Sequence, residues 1–391
     1  MKKKSQEGEK LFGKNYILLI VVSLITSFGY SMIATLISSY GVELGASLTA
    51  AGTLVGIYSL SALLIRPFGG YATDILDKRM MCVFSTVMIC VAMTGYAVAP
   101  GIRTMFLVRI LHGAAFGVSG TANMALLCDY VPSKRLAEGL GYYGLGQVLS
   151  QVCGPSLGLA VKNRLGYRAL FGIIALMTVL AVLVLFGVDK PACKKEEGKE
   201  KKRLTLDNLI AKECIVYALV AGLFSLGNGV INSFLLLLGE EREIAGIALF
   251  FSVNAAALFG IRLVAGKIAD RNSLTLIVNI SLLTSAVSMA IVGKGSVLWI
   301  MLLAAVLKAV GQGSGQISLQ SACIKRVDAL RVGVATSTYY IGADIGQGLG
   351  PIVAGKISSL MGYGRMFYCL AAFIVVVTIG FNFYQRRQRK A

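Results

Sequence analysis

The chain has 391 residues, of which 56% are hydrophobic and 15% charged, against roughly 25% charged in a soluble domain. Together with a mean hydropathy of +0.74, this argues against a soluble enzyme and excludes a disordered, collagen-like or disulfide-rich secreted chain. The net charge of +19 would point to nucleic acid on a soluble protein, but the basic residues stand between long apolar runs, so the expected partner is a lipid bilayer and no nucleic acid.

A helix needs roughly 20 mostly apolar residues to cross a bilayer. After a basic tail over 1–14, runs of that length occur at 15–39, 48–70, 80–100, 103–127, 138–161 and 166–188. The first exceeds a signal-peptide core and has no small-residue cleavage site, so it reads as a retained span. A charged linker follows at 189–212, containing KPACKKEEGKEKKRLTLDNLIAK. Six more runs occupy 213–238, 244–268, 273–293, 297–322, 332–357 and 363–384, before a basic tail at 385–391. None alternates as a lipid-facing strand would. The expected fold is all-α and integral to the membrane, with 12 transmembrane helices in two six-helix halves, 15–188 and 213–384. With the N-terminus inside, 28 of the 38 Lys and Arg fall on the inner side and 8 outside. That bias predicts cytoplasmic termini.

The halves repeat at an offset of 196 residues: Arg66, Gly70 and Asp74 match Arg262, Gly266 and Asp270, Gly154-Pro155 matches Gly350-Pro351, and Gly166-Tyr167 matches Gly362-Tyr363. Two parallel halves related by an axis along the membrane normal are an architecture of secondary transporters. Asp74 and Asp270 end the cytoplasmic sides of the second and eighth spans. A carboxylate there can cap a neighbouring helix, such as one beginning near Val332, with about 0.3–1 kcal/mol of stabilisation. Arg66, Lys78 and Arg79, and the counterparts Arg262 and Arg271, can pair with it. Such a lock favours an outward-facing state and breaks in an inward-facing one. The same residues also read as ordinary topology-determining charges. Pro155 and Pro351 each remove a helical hydrogen bond, and Gly154 and Gly350 allow close backbone approach. Kinked cavity walls and plain helix packing are both readings of these pairs.

Ionisable groups at membrane depth cost roughly 2.5–3.5 kcal/mol on insertion scales and are usually functional. Four stand out: Arg109 and His112 in the fourth span, Lys308 in the tenth and Asp344 in the eleventh. Lys308, Gln312, Gln316 and Gln320 are spaced by four and share one helix face. Tyr143, Gln147 and Gln151 form a second stripe and Asn228 with Asn232 a third. Tyr340 joins them as a candidate cavity residue. Asp344 is the candidate for proton coupling, tuned by Lys308 or Arg109. A static Asp344–Lys308 pair and a direct substrate contact are the alternatives. His112 reads as a proton relay or as a hydrogen-bonded polar group. The sequence carries no metal cluster, nucleotide motif or catalytic triad, so no cofactor, metal site or catalytic residue is expected.

Three motifs carry a resemblance. After the second span stands Gly70-Tyr-Ala-Thr-Asp74-Ile-Leu-Asp77-Lys78-Arg79. The fourth span has Arg109-Ile-Leu-His112-Gly113, and the fifth has Gly141, Ser150 and Gly154-Pro155-Ser-Leu-Gly158. On these residues the chain resembles a 12-helix member of the major facilitator superfamily over nearly its whole length. It departs at Ile75, at Asp77 (Gly in the motif), at His112 (Gln) and at Ser150 and Leu159 (Gly). The resemblance implies a plasma-membrane transporter of the drug/metabolite:proton antiporter-like branch, which works as a monomer on a small-molecule substrate and protons. The expected function is proton-coupled efflux of small amphipathic organic compounds by alternating access. The alternative is an organic-anion importer or exchanger using Arg109 and Lys308. A channel or sensor is a third class with no feature in its favour.

Overall fold

The computed structural model describes residues 11–190 and 205–390. The expected tail over residues 1–10, the linker over residues 191–204 and the terminal Ala391 lie outside the described residues. The described chain is helical, with no strand. Its helices are α1 (Lys14–Ala34), α2 (Ile37–Glu43), α3 (Leu48–Ile75), α4 (Lys78–Val98), α5 (Ile102–Cys128), α6 (Leu136–Phe186), α7 (Leu206–Leu209), α8 (Ile215–Glu241), α9 (Leu249–Arg271), α10 (Leu274–Lys294), α11 (Leu298–Lys325) and α12 (Val332–Lys390). Ten of these are long and apolar enough to cross a membrane.

Polar residues between the runs start the helices. The Ser47 hydroxyl accepts from the Ala50 N–H and begins α3. Asp77 accepts from Met80 N–H and begins α4, and Ser273 accepts from Leu276 N–H and begins α10. Asp77 and Ser273 are 196 residues apart. The aspartate that departs from the family motif therefore works as a helix cap, a role Asp and Ser fill well.

The backbone leaves the helical region at glycines and not at the prolines. Pro155 and Pro351 lie inside α6 and α12, while the non-helical residues are Gly166 (φ 81°, ψ 173°) and Gly362 (φ 82°, ψ 164°). Positive φ is the conformation glycine reaches without steric cost. These two glycines, again 196 apart, break helices of 51 and 59 residues. A straight 51-residue helix would be about 77 Å long at 1.5 Å per residue, more than twice a bilayer core of about 30 Å.

The chain forms two compact units. The first comprises Met1–Ser133, Gly146–Lys212 and Val327–Thr338, and the second Lys134–Leu145, Glu213–Arg326 and Tyr339–Ala391. The segments assigned away from their own half, 134–145 and 327–338, comprise the residues leading into α6 and α12 and the opening turns of those helices. In the first unit, Met32, Ile33 and Ile37 pack with Ile89, Met93, Tyr96, Met105, Leu170, Phe171 and Ile174. The Tyr40 hydroxyl crosses that core to donate to the Tyr96 carbonyl at 3.2 Å.

The second unit relies on small and polar contacts, as membrane helices must where lipid is as apolar as leucine. Ser288 Oγ donates to the Ala304 carbonyl at 2.7 Å, and Ser281 and Ser314 hydroxyls meet at 2.8 Å. The side-chain amides of Asn279 and Asn382 bond reciprocally at 2.8 and 3.0 Å. Small residues also bring α8 against α12, where Gly222 faces Gly342 and Gly346.

Candidate functional site

The described structure brings the repeated aspartates to helix starts. In the first unit the Asp74 carboxylate accepts from Gly333 N–H at 2.6 Å and Val334 N–H at 2.9 Å. In the second unit Asp270 accepts from Ala137 N–H at 3.2 Å and Glu138 N–H at 2.9 Å. Each carboxylate thus satisfies two of the four backbone donors a helix start leaves open, and sits at the positive end of the helix dipole. Gly70 and Gly266 set how closely the chains approach. A Cβ at Gly70 would fall 2.6 Å from Ser337 Cβ, and one at Gly266 would run into the backbone of Ala137 and Glu138. The Ser337 hydroxyl adds a bond to the Arg66 carbonyl at 2.6 Å.

The basic residues expected around these aspartates have the following contacts. Lys78 reaches Asp129 at 2.7 and 2.9 Å. Arg79 donates to the carbonyls of Leu185 and Phe186 at 3.2 and 2.6 Å. Arg66 is buried and donates to the Gly117 carbonyl at 3.4 Å. Arg262 donates to the Gly144 carbonyl, and Arg271 lies exposed in the last turn of α9. Asp270 takes its charged partner from Lys325 at 2.9 Å. Burial raises the Asp129 carboxyl above its ordinary value, and the Lys78 ammonium pulls it part of the way back.

The second unit holds a polar cluster on α8 and α11. The Lys308 ammonium, 3% exposed, donates to Asn228 Oδ1 at 2.9 Å and Gln312 Oε1 at 3.0 Å. Asn228 in turn donates to Gln347 Oε1 at 3.4 Å. Gln316 reaches Ser225 Oγ at 3.4 Å, and Gln320 donates to the Tyr340 hydroxyl at 3.3 Å. A cavity of about 10 Å³ adjoins Lys308, walled by Phe224, Gly227, Ser285, Met289 and Gln312. That is room for one water. The stripe spaced by four is real, and it meets α8 and α12. Asp344 is half-buried on α12, and it is not the partner of Lys308, whose ammonium is held by amide oxygens. Among the described residues, the contacts of the Lys308 ammonium are Asn228 and Gln312. Asn232, the other member of the α8 stripe, is exposed.

The first unit holds an aromatic box around Arg109. This side chain is 1% exposed; its Nε donates to the Leu54 carbonyl at 3.0 Å, and its guanidinium stands 4.4 Å from the centre of the Tyr58 ring. Tyr58 stacks on Tyr30 at 5.0 Å, and the His112 ring meets it edge-on at 4.9 Å. His112 Nδ1 and the Tyr96 hydroxyl are 3.3 Å apart. One terminal nitrogen of Arg109 and the Tyr58 hydroxyl are buried with no hydrogen-bond partner. Cation–π contact is a recognised way to hold a guanidinium out of water. No carboxylate pairs with Arg109 or Lys308 among the described residues.

On α6, Tyr143 is buried, Gln147 half-buried and Gln151 exposed. Gly154 packs on Ser31 of α1, and Gly350 on Leu226 of α8. The Gly-Pro pairs are thus places of close helix contact. Sequence reasoning missed Asp129, Lys325, Ser337 and Gln347. The offset carried a signal for two of them: Asp129 and Lys325 are 196 apart, one pairing with a lysine and the other with an aspartate. Among the described residues no group of His, Cys, Asp and Glu is placed to hold a metal.

Comparison with known proteins agrees with this architecture. The sequence profile of the Major Facilitator Superfamily matches residues 19–327 and 217–391. The uncharacterized MFS-type transporter YhhS of Shigella flexneri is 24% identical over 344 residues, covering 86% of this chain and 83% of that one. The staphylopine export protein of Staphylococcus aureus strain Mu50 is 20% identical over 377 residues, covering 93% and 94%. Among solved structures, the Escherichia coli fucose:proton symporter FucP superposes with a TM-score of 0.79 at 13% identity, over 93% of this chain and 97% of that one.

Proposed function

We propose, starting from the fact that this chain belongs to the Major Facilitator Superfamily, that it exports small amphipathic organic compounds in exchange for protons. A chain of this family is a multi-pass membrane transporter of small molecules and not an enzyme. The finer reading has α6 and α12 each crossing twice about Gly166 and Gly362, which makes twelve crossings from ten helices. Both termini then lie on the cytoplasmic side, as the basic residues require. The halves 15–188 and 213–384 rock about a substrate held between them, and a monomer suffices.

The observation that carries this reading is the pair of reciprocal caps. Asp74 and Asp270 hold helix starts that are themselves 196 residues apart. Contacts related by the repeat can form and break together, as alternating access needs. The export direction draws on the staphylopine export relative and on the Gly154-Pro155 motif. For coupling, Asp344 takes and releases the proton, with His112 as relay. For the cavity, Lys308, Arg109, Gln312, Gln316, Gln147, Gln151, Tyr143, Asn228, Asn232 and Tyr340 contact substrate.

A second reading has its own observation. Arg109 and Lys308 are buried without a carboxylate partner among the described residues, which favours an organic anion imported or exchanged.

Both readings meet one experiment. Everted vesicles are given a preset pH gradient and a panel of lipophilic cations, zwitterions and organic anions, with the parent chain and Asp344→Asn side by side. The export reading predicts that a compound collapses the gradient only with Asp344 intact. Uptake without proton movement, or an unchanged Asp344→Asn, overturns the coupling and brings the anion exchanger forward.

A further inference from the structure

The second unit carries an apolar groove that the transport reading does not use. Its volume is about 500 Å³, and Val216, Leu219, Leu223, Leu226, Ile345, Phe373, Val377 and Phe381 give its walls their character. The α8 positions recur at helical spacing from 216 to 226. At 1.5 Å per residue that face is about 15 Å long, or half of a bilayer core of about 30 Å. The groove is therefore one leaflet deep. It starts in the first turn of α8, close to a helix end. It opens outward, with Leu219 65% and Phe373 50% exposed.

The end of the groove nearest the start of α8 is polar and basic. The α12 wall residues 373, 377, 380 and 381 continue on the same face to positions 387 and 388. Arg387 is exposed there, and Gln388 accepts from Arg326 at 3.5 Å. The Arg326 guanidinium stands 4.9 Å over the ring of Tyr217, whose hydroxyl accepts from Gln385 at 3.2 Å. Arg326 is also exposed, and the turn Lys212–Cys214 that leads into α8 carries the acidic Glu213. An apolar slot one leaflet long that ends under arginines matches an acyl chain under a phosphate, since guanidinium pairs well with phosphate oxygens.

We infer that this groove is a binding site for one anionic phospholipid, with an acyl chain between α8 and α12 and the phosphate against Arg326 and Arg387. It is independent of which compound the transporter carries.

Gly380 offers a clean probe. It belongs to the groove wall, and a Cβ built on it meets nothing within 4 Å. Gly380→Phe therefore starts from open space on the groove wall and narrows the slot. The experiment is native mass spectrometry of the purified full chain, reconstituted with dioleoyl phosphatidylglycerol or with the phosphatidylcholine of the same chains. The parent should retain one more phosphatidylglycerol than Gly380→Phe. Arg326→Gln with Arg387→Gln should retain the two lipids alike. A circular dichroism melt in detergent confirms that each variant is folded. Equal retention by parent and Gly380→Phe overturns the groove as the site. Equal retention of the two lipids by the parent overturns the anionic headgroup.

Discussion

Asp270 stands to Glu138 as Asp74 stands to Val334: in both pairs a carboxylate oxygen accepts the third helical N–H at 2.9 Å. Both members of the first pair lie 196 residues from their counterparts. The bond is between a side chain and a backbone group, so the capped residue can change, Glu in one copy and Val in the other, without loss of the contact.

Removing either cap should cost a similar amount. Asp74→Ala and Asp270→Ala each leave two helix-start donors open, and are expected to destabilise by about 0.5–2 kcal/mol. Lys325 is 42% exposed, so its pair with Asp270 adds little. Thermal unfolding in detergent reads this. A loss at Asp270 that Lys325→Ala reproduces in full would mean the ion pair, not the cap, is the stabilising contact.

Glycine substitutions in α3 should separate contact from propensity. Gly56 has open space around its missing Cβ, whereas Gly70 faces Ser337. Gly56→Ala is expected to stabilise by up to about 1 kcal/mol, while Gly70→Ala should destabilise by about 1–3 kcal/mol. The same melts decide it, and equal effects would remove the close approach from the account.

The Lys308 cluster calls for a double-mutant test. Asn228→Leu leaves a buried ammonium one acceptor short, at a cost of about 1–3 kcal/mol. Lys308→Met removes the charge itself, which is often neutral or stabilising in a buried site. The double variant should therefore recover most of the Asn228→Leu loss. A double variant as unstable as Asn228→Leu alone would show that Asn228 serves packing and not Lys308.

Asp129 sets a pH dependence. Burial holds its carboxyl above the ordinary value, so the folded protein keeps this proton to higher pH than the unfolded chain. The stability this lends is present at acid pH and fades as pH rises through the folded value. Relative to Asp129→Asn, the parent should be more stable near pH 4 than near pH 7, measured as a difference in Tm. A difference that moves the other way would mean that Lys78 outweighs burial.

Much of this was legible in the sequence, for reasons specific to particular residues. Asp74, Asp270, Gly166 and Gly362 are visible because the offset marks them and because backbone geometry at helix ends tolerates few substitutes. The fourfold spacing placed Lys308 and Gln312 on one face, where they bond. What spacing could not supply was the choice of tertiary partner. Lys78 lies four residues from Asp74 and pairs instead with Asp129, and Lys308 is held by Asn228 and not by Asp344. Long flexible side chains select partners by the packing of whole helices, which no local pattern encodes.

As locks of the proposed transport cycle, the two aspartate caps should show opening during transport. Hydrogen exchange by mass spectrometry on the reconstituted protein measures it at the capped amides of Gly333, Val334, Ala137 and Glu138, whose protection reports local opening. With a transported compound and a pH gradient present, exchange at both helix starts should rise together. Asp74→Ala should raise it at 333–334 and leave 137–138 protected in the resting protein. Exchange at the two starts that stays unchanged during turnover would contradict the account.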